Sequence, residues 1–249
     1  LAPLWRATAL ETLGSAGDDR IARIAAPLLA GDDPLLRLAA VRSAQGLPVG
    51  QRYALLRPLV KDPITAVRME VAASLAGVPL GRLRGSGREA LEALFAEYLA
   101  IQAEHADMPS VQLQLGLYHS SRGHRGAAEA AYREALRLNG QLVPAYLNLA
   151  DLLRATGRES EALAQLERAR AIAPESGDVL YALGLSAIRA GDGERALAYL
   201  AGAAERERTG TRHRYVHAVA LHDLGDPRAA VRALRRLNRD APGNPEVLL

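Results

Sequence analysis

Between Pro109 and Asn244 a glycine recurs every 34 residues, at Gly123, Gly157, Gly191 and Gly225. Two further columns keep the same step: Ala128, Ala162, Ala196 and Ala230, then Tyr132, Leu166, Leu200 and Leu234. Three columns in phase leave few folds open. A fixed period of this length belongs to chains in which one supersecondary unit is stacked on copies of itself. No single unit can bury its own apolar face, so the stack as a whole makes the core.

Each unit reads as helix, turn, helix, turn. In the first, helices are expected over roughly Ser110–Ser121 and Ala127–Leu138, with Gly123 closing the first in a left-handed conformation that costs glycine nothing. Ala128 and Ala135 are small enough to let two helices approach, and Tyr132 and Leu136 fill the space between them. The same alternation reads through Ala162, Leu166 and Ala169, then Ala196, Leu200 and Ala203, then Ala230 and Leu234. Pro174 and Pro242 end their helices, since proline cannot continue one.

These columns resemble the tetratricopeptide repeat, whose pattern has Leu-Gly in the first helix, Gly at the turn, then Ala, a large residue, Ala and Pro. The Leu-Gly pair stands here as Leu115-Gly116, Leu149-Ala150, Leu183-Gly184 and His217-Ala218. Gly140 and Arg208 occupy positions where the pattern has Pro. The resemblance implies an all-α, right-handed α-α superhelix, with four such repeats over 109–244.

Residues 1–80 carry a shorter period. Arg6, Arg37 and Arg68 are 31 apart, each after an apolar residue (Trp5, Leu36, Val67) and before an alanine-rich helix. Pro3 and Pro34 share the step, and Asp33-Pro34 and Asp62-Pro63 are good helix starts, Asp as cap and Pro in the first turn. Shorter helices are expected between them, over Arg20–Leu29 and Gln51–Val60. This part resembles HEAT-like repeats of the short, phycobilisome-lyase type, with an Asp/Arg ladder along the turns. The expected solenoid is therefore HEAT-like repeats followed by tetratricopeptide repeats, cut at its N-terminal end.

Residues 81–108 read as a Gly-rich linker and a capping helix. Leu80-Gly81-Arg82-Leu83-Arg84-Gly85-Ser86-Gly87 has the composition of a flexible connection. The helix after it, roughly Arg88–His105, puts Leu91, Leu94, Phe95, Tyr98, Leu99 and Gln102 near one face, to cover the first tetratricopeptide unit. At 245–249 the start of a truncated C-terminal helix is expected. Leu1 is not an initiator Met and no charged-then-apolar leader follows, so the chain reads as a fragment or processed product.

Composition narrows the function classes. There is no cysteine, which excludes disulfides, thiolate zinc sites and c-type haem attachment within this chain. No apolar run is long enough to span a membrane. Net charge is +3, and Lys61 is the only lysine. Mixed signs and so small a net charge do not make nucleic acid the expected partner. A solenoid binding nucleic acid through its Arg-rich faces is the alternative.

Catalytic and metal constellations find little footing. His213 and His217 are four apart, with His222 and Asp223 beyond, a spacing that can hold a metal. Against it, His217 occupies the column of Leu115, Leu149 and Leu183 and is expected to pack between helices. His105, His119 and His124 have no paired carboxylate, and Glu104-His105 is not the repeated His-Glu pair of HEAT-type hydroxylases. Glu89, Glu92, Glu97 and Glu161 fit a solvated face. Gly81, Gly85 and Gly87 are not a phosphate loop, because no Lys-Ser/Thr follows. Arg6, Arg37 and Arg68 are expected to pair with Asp33, Asp62 and backbone carbonyls, and Arg232, Arg235, Arg236 and Arg239 to be solvated. Neither enzymatic activity nor a cofactor or metal is expected.

The expected functional surface is the concave side lined by the first helices. Its residues are Leu113, Leu117, Ser120 and Ser121; Leu147, Asp151 and Arg154; Tyr181, Leu185, Ile188 and Arg189; then Tyr215, Val219 and His222. Tyr and Arg over an apolar floor suit a helix or extended peptide of a protein partner. Clamps that grip a C-terminal carboxylate need Lys and Asn, Asn, then Lys and Arg. Here Asn148 matches, while Leu113, Leu117, Asp178 and Ala182 do not. The order of HEAT-like repeats, linker, helix and tetratricopeptide repeats resembles the C-terminal region of bacterial multihaem cytochrome c proteins. That implies a c-type cytochrome domain upstream or as partner, and a periplasmic rather than cytoplasmic setting.

Overall fold

The computed structural model describes residues 21–206 and 211–240, together with residue 8. Arg6 and the helix start expected at 245–249 lie outside those residues. Among the described residues all regular structure is helical, thirteen α-helices and three short 3-10 turns. They fall into two compact units, Leu1–Ala131 and Tyr132–Leu249.

The first unit contains α1 (Ile21–Leu29), α2 (Pro34–Ser43), α3 (Val49–Leu56), α4 (Thr65–Leu75), α5 (Ser86–Glu104) and α6 (Pro109–Ser121). Asp33 caps α2, accepting the Leu35 N–H at 2.9 Å with Pro34 in the first turn. α4 starts two residues later than Asp62-Pro63 suggests, because the Asp62 carboxylate accepts the Ile64 N–H at 2.8 Å and holds the chain extended before the helix. The helix expected to reach Val60 stops at Leu56 and tightens to a 3-10 turn over Arg57–Lys61. Pro58 has no N–H to continue the α ladder there.

One core runs through this unit, from Ala25 by Val41, Val67 and Leu75 to Leu91, Tyr98 and Tyr118. The stretch expected to be a flexible linker is fastened to this core by two leucines. Leu80–Arg82 is a 3-10 turn, and Leu80 and Leu83 pack on the core. The Arg122 Nη1 donates to the carbonyls of Ala76 and Val78, at 3.1 and 2.9 Å, and its guanidinium lies 4.9 Å over the Phe95 ring. α5 joins its neighbours through aromatic contacts: Tyr118 of α6 is 5.0 Å from Tyr98 and 5.6 Å from Phe95, ring centre to ring centre.

α7 (Arg125–Leu138) runs through the boundary at 131/132. The second unit then pairs α8 (Val143–Ala155) with α9 (Glu159–Ile172), α10 (Gly177–Arg189) with α11 (Gly193–Arg206), and α12 (Arg212–Asp223) with α13 (Pro227–Asp240). Every turn between paired helices closes alike. Gly123, Gly157, Gly191 and Gly225 have φ of 75, 77, 75 and 100°. The residue after each donates back to the last helical turn: His124 to His119, Arg158 to Leu153, Asp192 to Ala187 and Asp226 to Leu221, at 2.8–3.0 Å. This is the Schellman closure that a left-handed residue permits.

Behind the turns the small and large columns interlock. Ala162, Ala169, Ala196 and Ala203 are buried, and so are the large Leu149, Leu166, Leu183 and Leu200. Burying one such leucine is worth about 1.5–3 kcal/mol. The approach is closest at Gly184, where a methyl would lie 2.6 Å from the Leu200 Cγ. No described helix is long and apolar enough to cross a membrane.

Candidate functional site

In the second unit α8, α10 and the start of α12 enclose an open cavity of about 600 Å³. Six of the residues expected to form a groove meet there: Leu147, Asp151, Arg154, Tyr181, Leu185 and Arg189. Helical geometry is the reason, since Tyr181, Leu185 and Arg189 follow at steps of four and share one face of α10. Leu147, Tyr181 and Leu185 are half-buried, so apolar surface stays open to solvent.

The rim is charged and loosely paired. Arg154 Nε is 3.6 Å from Asp151, and Arg189 Nε is 3.5 Å from Glu159. Asp178 is exposed, with His213 Nε2 at 3.4 Å. The His213 ring stacks on Tyr181 at 4.7 Å between centroids, and the Arg212 guanidinium sits 5.1 Å from the Tyr181 centroid. Tyr181 is thus held by two neighbours from α12. Neither Arg212 nor His213 was expected in the groove. The 34-residue step could have suggested Arg212, because it follows Asp178 in its column.

The other expected groove residues lie elsewhere. Ile188, Val219 and His222 are exposed, Tyr215 is half-buried, and none lines the cavity. Seven residues is about 20° short of two helical turns, which rotates Ile188 from Tyr181 away from the side carrying Leu185 and Arg189. Leu117 lines a concavity of the first unit, about 690 Å³, with Gln102, Gln114 and the Arg42–Glu70 pair. Leu113 is half-buried and lines neither. Asn148, the one match to a carboxylate clamp, donates its amide to the Pro144 carbonyl at 2.7 Å.

The two histidines spaced for a metal serve different places: His213 lines the groove, while His217 lines a concavity between α11, α12 and α13. His222 Nδ1 lies 3.0 Å from Asp223. The arginine ladder forms in the first unit. Arg37 grips the buried Asp62 through Nε and Nη2, at 2.8 and 3.2 Å, and donates Nη1 to the carbonyls of Gly31 and Asp32. Arg68 donates to the Asp62 carbonyl at 2.7 Å and to Glu97 at 3.1 Å. Hydrogen bonding from Arg68 holds the Glu97 carboxyl below its ordinary range. Asp33 caps its helix instead of forming a rung. Arg37 and Arg68 are therefore engaged internally, which removes them from the alternative of nucleic-acid binding through Arg-rich faces; Arg6 is outside the described residues.

Residues 109–142 and 143–186 each match a model of the tetratricopeptide repeat. Residues 109–186 are thus similar to tetratricopeptide repeats. Its fold is similar to that of PilW, described as a widely conserved type IV pilus biogenesis factor, with a TM-score of 0.58 over 93% of this chain and 98% of that one at 18% identity. MamA from Desulfovibrio magneticus is similar at a TM-score of 0.50 over 71% and 98%, again at 18% identity. Such likenesses concern the fold alone. No curated protein matches the sequence. Tetratricopeptide repeats generally act as non-catalytic scaffolds for protein–protein interaction.

Proposed function

We propose that the cavity on α8, α10 and α12 docks an extended segment of a partner protein, and that the chain works as a binding scaffold without catalysis of its own. One observation carries this reading: Leu147, Tyr181 and Leu185 converge, half-exposed, beneath a rim of loosely held ion pairs. The volume, about 600 Å³, suits a few side chains more than a whole helix. Tyr181 presents a pre-ordered ring, so little rotamer entropy is lost when a partner packs on it. Arg154 and Arg189 can exchange their long contacts for carboxylates of the incoming chain.

Leu147→Glu with Tyr181→Ala tests it. Partner capture by this variant, with helical content unchanged, is expected to fall at least tenfold, because two hot-spot contacts of about 1–2 kcal/mol each are removed. Capture that survives intact refutes the groove.

We further propose that the helices of residues 21–80 are HEAT-like repeats that extend the interaction surface or set the spacing to a neighbouring domain, which the Arg37–Asp62 rung supports. The finer proposal is a c-type cytochrome as partner or upstream domain, in a periplasmic setting. It rests on the order of elements, and CxxCH motifs upstream of Leu1 in the full gene are the observation that decides it.

A further inference from the structure

The fourth repeat departs from the third where α12 meets α11 and α13, gaining cations at some positions while Asp240 replaces Arg206 at another. Stepping back 34 residues, Arg214 answers to Leu180, His217 to Leu183, Arg232 to Ala198, Ala233 to Tyr199 and Arg236 to Gly202. Position 217 is Leu in all three earlier repeats, and position 232 is Ala in all three. In the third repeat this contact is filled: Leu180 and Leu183 are buried, and a methyl on Gly202 would meet Leu180 at 3.3 Å and Arg206 at 3.4 Å. In the fourth, loss of the tyrosine ring and gain of cations open a concavity of about 560 Å³ floored by Ala201, Ala204 and Ala233.

We propose that this concavity, lined by Arg214, His217, Arg232 and Arg236, binds a phosphate group. Arg214 is paired with Asp240, and Glu205 stands on the α11 side near His217. Arg232 and Arg236 have no ion-pair or hydrogen-bond partner among the described residues. They lie four apart on α13, on one face and within reach of a single ligand. Two unpaired guanidinium forks offer the several donors that the oxygens of a tetrahedral phosphate take up. A carboxylate is a poorer fit, since its two oxygens take up one fork and leave the donors of the other unused. The walls leave room beyond one phosphate, so a small phosphomonoester can fill more of the site than free phosphate does.

The test is calorimetric titration of the chain with inorganic phosphate and, separately, glycerol phosphate, at constant ionic strength. Saturable binding of either supports the site, and the tighter of the two identifies the source. Arg232→Ala with Arg236→Ala is expected to weaken binding about a hundredfold, roughly tenfold per charge-assisted contact. Ala233→Tyr restores the ring that fills the preceding repeat and is expected to abolish binding while helical content stays unchanged. Absence of saturable binding to both probes, or equal affinity in the double-arginine variant, overturns the proposal.

Discussion

Gly184→Ala, made alone and beside Leu200→Ala, tests the packing that spaces α10 from α11. The new methyl would lie 2.6 Å from the Leu200 Cγ and 2.7 Å from its Cδ2. Carbon atoms rest at about 3.5–4.0 Å, so roughly 1 Å of overlap must be relieved. Leu200 is fully buried and the overlap reaches its branch point, so a small rotation of a chain end does not relieve it. Overpacking of this kind costs about 1–3 kcal/mol, against about 1 kcal/mol gained from replacing glycine in a helix. The single variant is expected to be neutral or destabilised by about 2 kcal/mol. Leu200→Ala alone leaves a cavity and costs about 2–5 kcal/mol. In that background the methyl enters vacated space, the strain disappears and the helix gain of about 1 kcal/mol remains. The same change therefore switches from unfavourable to favourable, a coupling of about 1–3 kcal/mol. Urea unfolding of the four proteins, followed by circular dichroism, measures it. Equal effects of Gly184→Ala in both backgrounds would show that the helices simply move apart, as Ala150 against Leu166 in the preceding repeat allows, and that Leu200 does not set their distance.

Removing the buried rung of the first unit is expected to cost more. Arg37→Ala leaves the Asp62 carboxylate buried without its cation and two carbonyls without donors, about 3–5 kcal/mol by the same unfolding assay; a loss under 1 kcal/mol would show water reaching Asp62 freely. Stability should also depend on pH through two imidazoles. His119 and His217 both titrate below their ordinary value of 6.5, chiefly because burial disfavours the charged ring, with His124 adding to this at His119 and Glu205 opposing it at His217. The unfolded chain then holds more protons just below that value, so stability is intact above it and is lost as pH falls through and below it. Melting temperature should drop between about pH 7.5 and about pH 5.5, and drop less in His119→Gln with His217→Gln; an unchanged slope would remove these two groups as the cause.

Periodicity made the second unit readable. The four turn glycines, the buried alanines and the leucines that face them each follow from a 34-residue step, and each lies where the step implies. Six of the fourteen residues expected to line a groove meet in one cavity for the same reason, since Leu147, Asp151 and Arg154, and Tyr181, Leu185 and Arg189, share helix faces. The rest do not. Column positions state which helix bears a residue but not how far that helix is rotated, so Ile188 and Val219 were expected beside Tyr181 and stand outside its cavity.

The sequence by itself determined the class of fold, the places of the turns and which residues are small or large at each helix contact, because local conformation and burial repeat with the chain. Tertiary structure alone decided three things. It packed Leu80 and Leu83 of a glycine-rich stretch onto a shared core, stacked His213 and Arg212 on Tyr181, and separated His213 from His217 into different concavities. Each depends on the distance and rotation between helices far apart in sequence, and those are fixed only when side chains from both sides compete for one volume.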